Sequence, residues 1–382
     1  MHEDFLLWAL PVFVPAMAFE WAWGRRRGRD SYGWADTLNS LAQGLLSQAV
    51  AALTPLLQTG IYAWVQPRVQ LHVHLLPAAR LATPLGWVMA VVCYDFCDYW
   101  LHRVSHDSAL FWAAHAVHHQ SEHFNLSTAL RQESFYPVMG FPFFLPLAVL
   151  GFSTEQFIAA GLVVLLYQFW IHTEHIGRLG WLDRVFSTPS NHRVHHAVNP
   201  GYLDRNYGAV LVVWDRLFGT FAEEAEPCVY GTVKPLASWQ PLWAVAQFYA
   251  EIAQRMAATP RWLDRLRVPF KSPGWLPPGV EAEDPQAAAR RLAQPRFDPP
   301  LPPAARAWAG AVFIACVAAT GSWLLQADAL AAGIQWAAGA LLAVALWCMG
   351  RCLRDAPRRW LPGLGGVALG LLVAAGLQLV TP

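Results

Sequence analysis

Eleven of the fourteen histidines in this chain fall in two short windows, 102–123 and 172–196. Within them the spacing is specific. His102 and His106 form H-x-x-x-H, His115, His118 and His119 form H-x-x-H-H, and His192, His195 and His196 repeat that pattern. His172 and His175 add H-x-x-H. Helical positions i, i+3 and i+4 share a face, so each group aims its imidazoles at a common point. Imidazole binds iron, zinc, copper and nickel, and ten convergent rings exceed the coordination of one ion. The expected count is two metal ions in one site.

Structural zinc would call for four ligands, often cysteine, and a helical zinc protease for H-E-x-x-H, which does not occur here. Carboxylate-rich di-iron bundles use E-x-x-H on four helices, also missing. A haem protein would place isolated histidines within facing spans, and a metal transporter would string its ligands along a path through them. An all-histidine site holding two irons fits best.

Ten neutral rings leave the charge of two divalent ions uncompensated, so carboxylates should lie close. Asp98 precedes His102 by four residues and is placed to accept its free ring N–H. Asp107 and Glu174 adjoin His106 and His175. Asp95 shares the face of Asp98 and should point inward, since it is costly against lipid. Arg131, Gln132 and Glu133, just past the first window, are candidates for holding a substrate head group. His123, whose neighbours do not repeat, and His72 and His74, in a loop on the far side, are read as structural or surface residues.

Something must carry these ligands, and composition says what. Charged residues make up 14% of the chain and hydrophobic ones 55%, against about 25% charged in an ordinary globular protein. The 20 tryptophans suit bilayer surfaces, and a formal charge of +1 argues against nucleic acid as a partner. The six cysteines are scattered, with no disulfide or zinc-ribbon spacing.

Apolar runs approaching the roughly 20 residues of a membrane helix recur at 5–23, 38–65, 81–100, 135–152, 157–171, 308–325, 330–349 and 361–380. The fourth and fifth read as a tight hairpin around Gly151. Pro137, Pro142 and Pro146 should kink its first arm and open a lipid-sized gap beside Phe141, Phe143 and Phe144. Arginine clusters at 25–29 and 351–359 orient the chain with both histidine windows on the cytoplasmic side. Lysine occurs only at 234 and 271, a bias read as GC-rich bacterial coding. The expectation is an all-α integral membrane protein: a multi-span helical bundle with a cytoplasmic-side histidine-rich di-metal site, in a bacterial inner membrane. Residues 1–250 would form the membrane-embedded di-iron domain. Residues 251–305 would be a cytoplasmic Pro/Ala/Arg-rich linker, and 306–382 a C-terminal three-helix transmembrane unit.

At the histidine groups the chain resembles the sterol desaturase/fatty acid hydroxylase superfamily, over roughly Tyr94–Tyr230. The strings NLSTALRQ (from Asn125), QFWIHTE (from Gln168), TPSNHRVHH (from Thr188) and WDRLFGTF (from Trp214) resemble its alkylglycerol monooxygenase branch. The resemblance implies a di-iron centre held by His102, His106, His115, His118, His119, His172, His175, His192, His195 and His196. It implies O2-dependent oxygen insertion into a C–H bond of a membrane lipid, cleavage of ether lipids to fatty aldehyde, and a reduced pterin or other external electron donor. The alternative within the superfamily is hydroxylation or desaturation of a fatty acyl chain or sterol. Two positions depart from the animal enzymes of the branch: Asp107 stands where they tend to have Glu, and His175 where they tend to have an apolar residue.

Overall fold

The computed structural model describes residues 2–54, 59–70, 78–280 and 287–353, together with Gly366 and Gly370. Its regular elements are helical. In chain order they are α1 (His2–Arg26), α2 (Trp34–Leu53), α3 (Ile61–Gln70), the single turn α4 (Ala78–Leu81), α5 (Pro84–Asp107) and α6 (Ala109–His119). Then follow the single turn α7 (Leu126–Ala129), α8 (Tyr136–Leu150), α9 (Thr154–Ile171), α10 (Pro189–His195), α11 (Val213–Phe218) and α12 (Pro241–Ala258). The last are α13 (Trp262–Arg267), α14 (Ala287–Ala293), α15 (Pro303–Leu324) and α16 (Ala332–Cys352). Among the described residues α9, α15 and α16 are long and apolar enough to cross a membrane, and α8 is apolar but shorter.

The organising element is α5. Thr83 caps it, its hydroxyl accepting from the Gly86 N–H, and Pro84 opens its first turn. The helix then runs through the apolar 81–100 stretch into His102 and His106 without a break. Ser108 adopts an extended conformation that ends α5 and starts α6 in a new direction.

The expected hairpin takes a different form. Its turn is sharp: Gly151 takes φ +94° while Gly151 and Phe152 N–H return to Ala148 and Leu147 carbonyls. Ser153 and Gln156 then form a reciprocal capping box for α9. Both arms, however, pack on α5, with α3 against α8. The proline-bearing arm is also unbroken by its prolines. α8 is one helix through Pro142 and Pro146, and Phe144 is buried, stacked on Tyr94 at 4.5 Å. Phe143 meets Phe111 edge-on at 5.9 Å. These aromatic contacts pack α8 against α5 and α6.

A second core joins the two ends of the chain. Leu38, Ala42, Leu46 and Ala49 of α2 pack against Val312, Cys316 and Trp323 of α15 and Leu342 and Met349 of α16. The C-terminal helices therefore share a core with the N-terminal region. Residue 251 falls inside α12, and Arg291 in the Pro-rich stretch is buried, 2.8 Å from Glu122 and donating to the Tyr230 carbonyl. The apolar run 361–380 apart from Gly366 and Gly370, His72, His74 and Pro55 lie outside the described residues.

Candidate metal centre

Four helices end at one place. His106 is in the last turn of α5, His118 and His119 in that of α6, His192 and His195 in that of α10, and His172 is the C-cap of α9. A helix C-terminus carries roughly half a negative elementary charge. The bundle thus turns the negative ends of four helices toward one buried volume, a field that favours cations.

The rings there form two groups. His102, His106, His115, His119 and His195 make one; His118, His172, His192 and His196 make the other. Within each, one potential ligand atom per residue lies within 4.8 Å of all the others, and all nine side chains are buried. The two H-x-x-H-H motifs are shared in mirrored fashion. His115 and His119, four apart, serve the first group and His118 the second; His192 and His196 serve the second group and His195 the first. The groups touch, with the His119 and His196 rings stacked at 4.4 Å.

Hydrogen bonds to Nδ1 show how the rings are charged. His102 Nδ1 lies 2.8 Å from the Tyr207 carbonyl, His118 Nδ1 3.1 Å from that of Arg131, His172 Nδ1 2.7 Å from that of Gln168 and His195 Nδ1 2.9 Å from that of Arg205. A carbonyl only accepts, so each of these Nδ1 atoms carries the proton and each Nε2 a lone pair. Yet His118 and His172 bring their Nε2 atoms to 3.2 Å, and His172 and His192 to 3.0 Å. In the other group His102 and His115 approach at 3.0 Å and His115 and His119 at 2.9 Å. The buried Nε2 atoms of His106 and His195 have no hydrogen-bond partner at all. Where both tautomers are fixed, as for His118 with His172 and for His102 with His115, whose Nδ1 faces Glu133, the converging lone pairs repel one another; a cation between them turns repulsion into coordination. The donor set fits a metal in each group.

Protonation agrees. Burial pushes His115, His119, His172, His192, His195 and His196 well below the ordinary imidazole range, and His118 down to about 4. Neutral imidazole is the ligand form.

The other sequence candidates fall as follows. His175 joins neither group: its Nε2 lies 3.0 Å from Ser31 Oγ, beside Gly24 of α1, and Glu174 is its chain neighbour there. Asp98 does not receive the His102 N–H, which goes to Tyr207. Asp107 is 63% exposed and faces Arg103 at 3.9 Å. Arg131 is buried, its guanidinium bound to Asn39 Oδ1, Gln120 Oε1 and the Val117 carbonyl, so it braces α2 against the histidine region. Gln132 donates to the Ala129 carbonyl. Glu133, a head-group candidate by sequence, instead lies 2.7 Å from His115 Nδ1.

Sequence reasoning missed several supports. Asp204 lies 3.3 Å from His106 Nδ1. Phe124 is buried between the His172 ring, at 5.4 Å, and the Tyr230 ring, at 4.9 Å. Arg193, set between two ligand positions, pairs with Glu224 and donates to the Thr173 and Ile176 carbonyls. Position in the chain could have flagged Phe124 and Arg193, which lie beside histidine motifs, whereas Asp204 is brought in only by tertiary folding.

A buried polyhistidine cluster at the ends of apolar helices is suited to metal ions, and sequence comparison adds which proteins the chain resembles. Residues 87–220, which carry all nine rings, match the fatty acid hydroxylase family, and this segment belongs to it. Over 299 residues, 76% of the chain, it is 36% identical to an alkylglycerol monooxygenase of Homo sapiens. It is 37% identical over 268 residues, 70% of the chain, to one of Xenopus tropicalis. The chain spans 65% and 57% of the length of those curated relatives. It is also 29% identical to an ornithine lipid hydroxylase of Rhizobium tropici, over 57% of the chain and 65% of that protein. No solved structure matches. Apolar helices and histidine clusters suited to a metal ion thus accompany this family match.

Proposed function

We propose that this chain is a membrane-bound di-iron monooxygenase that cleaves O-alkyl ether lipids. One observation carries the reading: each H-x-x-H-H motif serves both histidine groups, so neither group can assemble without the other. That is what a two-ion centre requires and a single structural ion does not. The proposed ligands are His102, His106, His115, His119 and His195 for one iron and His118, His172, His192 and His196 for the other, a set without His175. When bound, the irons activate O2 with electrons from an external donor, a reduced pterin or another reductant.

The chain's own residues do the rest. Nδ1 anchors hold six of the nine rings, those of His102, His106, His115, His118, His172 and His195, and burial keeps bulk water from the site. One oxygen atom of O2 enters the C–H bond beside the ether oxygen, and the other leaves as water with two electrons and two protons. The resulting hemiacetal collapses to a fatty aldehyde and the glycerol. The donor would reach the centre from the cytoplasmic face of a bacterial inner membrane.

Similarity to the ornithine lipid hydroxylase supports a second reading, hydroxylation of another lipid by the same centre. The test is metal analysis of the purified full chain, then incubation with an O-alkylglycerol, O2 and reduced pterin under mass spectrometry. About two irons per chain and a released aldehyde are expected. A lipid gaining one oxygen without cleavage would select the second reading. A chain that takes up only zinc or haem would overturn both.

A further inference from the structure

The short helix α13 and the turn after it are built inside out. Their exposed positions hold Trp262, Leu263, Leu266 and Phe270, between 53% and 69% accessible, while the buried positions hold Asp264 and Val268. A helix facing water shows the reverse pattern. The apolar stripe is rimmed by cations: Arg261, Arg265 and Lys271 are exposed, and Arg267 is exposed although paired with Asp264 at 3.0 Å.

Large exposed apolar side chains edged by arginine and lysine match the boundary of an anionic bilayer, where rings and alkyl chains enter the acyl region and cations meet phosphate. We infer that this face lies in the membrane interface and binds the anionic phospholipid surface.

The placement bears on the metal centre. Ser108 Oγ donates to the Pro269 carbonyl at 3.0 Å, and Ala109 N–H donates to the Lys271 carbonyl at 2.7 Å. Ser108 and Ala109 open α6, which carries His115, His118 and His119. A face seated in the interface therefore holds the first turn of the ligand helix at the level of the lipid head groups. The centre then draws its substrate from the leaflet rather than from water.

The test uses nitroxide labels on the full-length chain in vesicles of phosphatidylcholine with phosphatidylglycerol. Labels are attached at Trp262→Cys or Leu266→Cys, with Glu223→Cys as a water-facing control and unlabelled wild-type protein as background for the native cysteines. Trp262→Cys and Leu266→Cys should collide several-fold more with O2 than with a soluble nickel chelate, and Glu223→Cys should show the opposite. Arg261→Gln with Lys271→Gln should reduce the O2 preference in anionic vesicles but not in pure phosphatidylcholine. Nickel access at both positions would overturn the inference. So would labels shielded from both reagents and dipolar-broadened, since that would mean a second copy of the chain covers the face. Equal behaviour of the charge variants in both vesicle types would overturn the anionic part. None of these readouts needs metal or turnover, so they are separate from the test of the proposed function.

Discussion

The Glu133 carboxylate lies 2.7 Å from His115 Nδ1, and its side chain is 11% exposed. The anchored rings of the four-histidine group lean on backbone carbonyls, whereas His115 and His106 of the five-histidine group lean on carboxylates, Glu133 and Asp204. A carboxylate behind the ring makes imidazole a stronger donor. Glu133→Gln should therefore weaken the five-histidine group selectively, by about 10- to 100-fold in metal affinity. Cobalt titration of metal-free protein would show one weakened and one unchanged binding step. Equal weakening of both steps would count against this assignment.

The two-group arrangement predicts what ligand removal does. His195→Ala and His118→Ala each take one ring from a different group and should lower iron from about two toward one per chain, with turnover lost in both. His175→Ala should keep its iron, because its ring contacts Ser31. Iron analysis of membrane-extracted variants decides the matter. Loss of iron from His175→Ala would put that residue back among the ligands.

Asp95 shows how far support for the centre extends. Its carboxylate accepts from Val210 N–H, Leu211 N–H and Trp214 Nε1–H, at 2.8, 3.1 and 2.8 Å. Asp215 accepts from Tyr207 and Gly208 N–H, both at 2.8 Å. Together they shape the irregular loop whose Tyr207 carbonyl anchors His102. Bonds to a charged group contribute about 1.5–3 kcal/mol each. Asp95→Ala should lower thermal stability in detergent by at least that much and reduce iron retention. An unchanged melting temperature would contradict this account of the loop.

Much of this was legible in the sequence because two rules are local. Helical spacing brings His102 to His106 and His115 to His119, and apolar runs mark α1, α5, α8, α9, α15 and α16. The inward turn of Asp95 followed from its cost against lipid. His175 falls outside both groups where the local rule ends. α9 stops at Ile171, and His172 takes ψ 69°, so i+3 no longer means the same face. The Nδ1 partners were invisible for another reason. Two of them are the carbonyls of Arg205 and Tyr207, in non-helical backbone brought in by tertiary folding, and a carbonyl has no residue type to recognise. The packing of Phe144 was equally non-local, since it depends on Tyr94 from α5.

Acid should separate the metal-free protein from the loaded one. In the metal-free state burial holds His102, His115, His119, His172, His192, His195 and His196 below the ordinary imidazole value, near 6.5 when unfolded; His118 is at about 4. Between those values the unfolded chain binds protons that the folded chain does not, so stability rises with pH across the window. Stability is then full above about pH 6.5 and is lost progressively as pH falls toward 4. Glu133, pushed up by burial to about 8, acts in the opposite sense. Asp215, also raised by burial, adds to it, but the lowered imidazoles outnumber such carboxyls and set the net direction. Thermal unfolding of metal-free protein in detergent should therefore show a falling midpoint from pH 7 to pH 5. Loaded protein, whose Nε2 lone pairs are committed to metal, should hold its midpoint over most of that range and then drop steeply as the metal leaves. A metal-free protein equally stable at pH 5 and pH 7 would mean that the rings are open to water, and that the centre is not the closed site described.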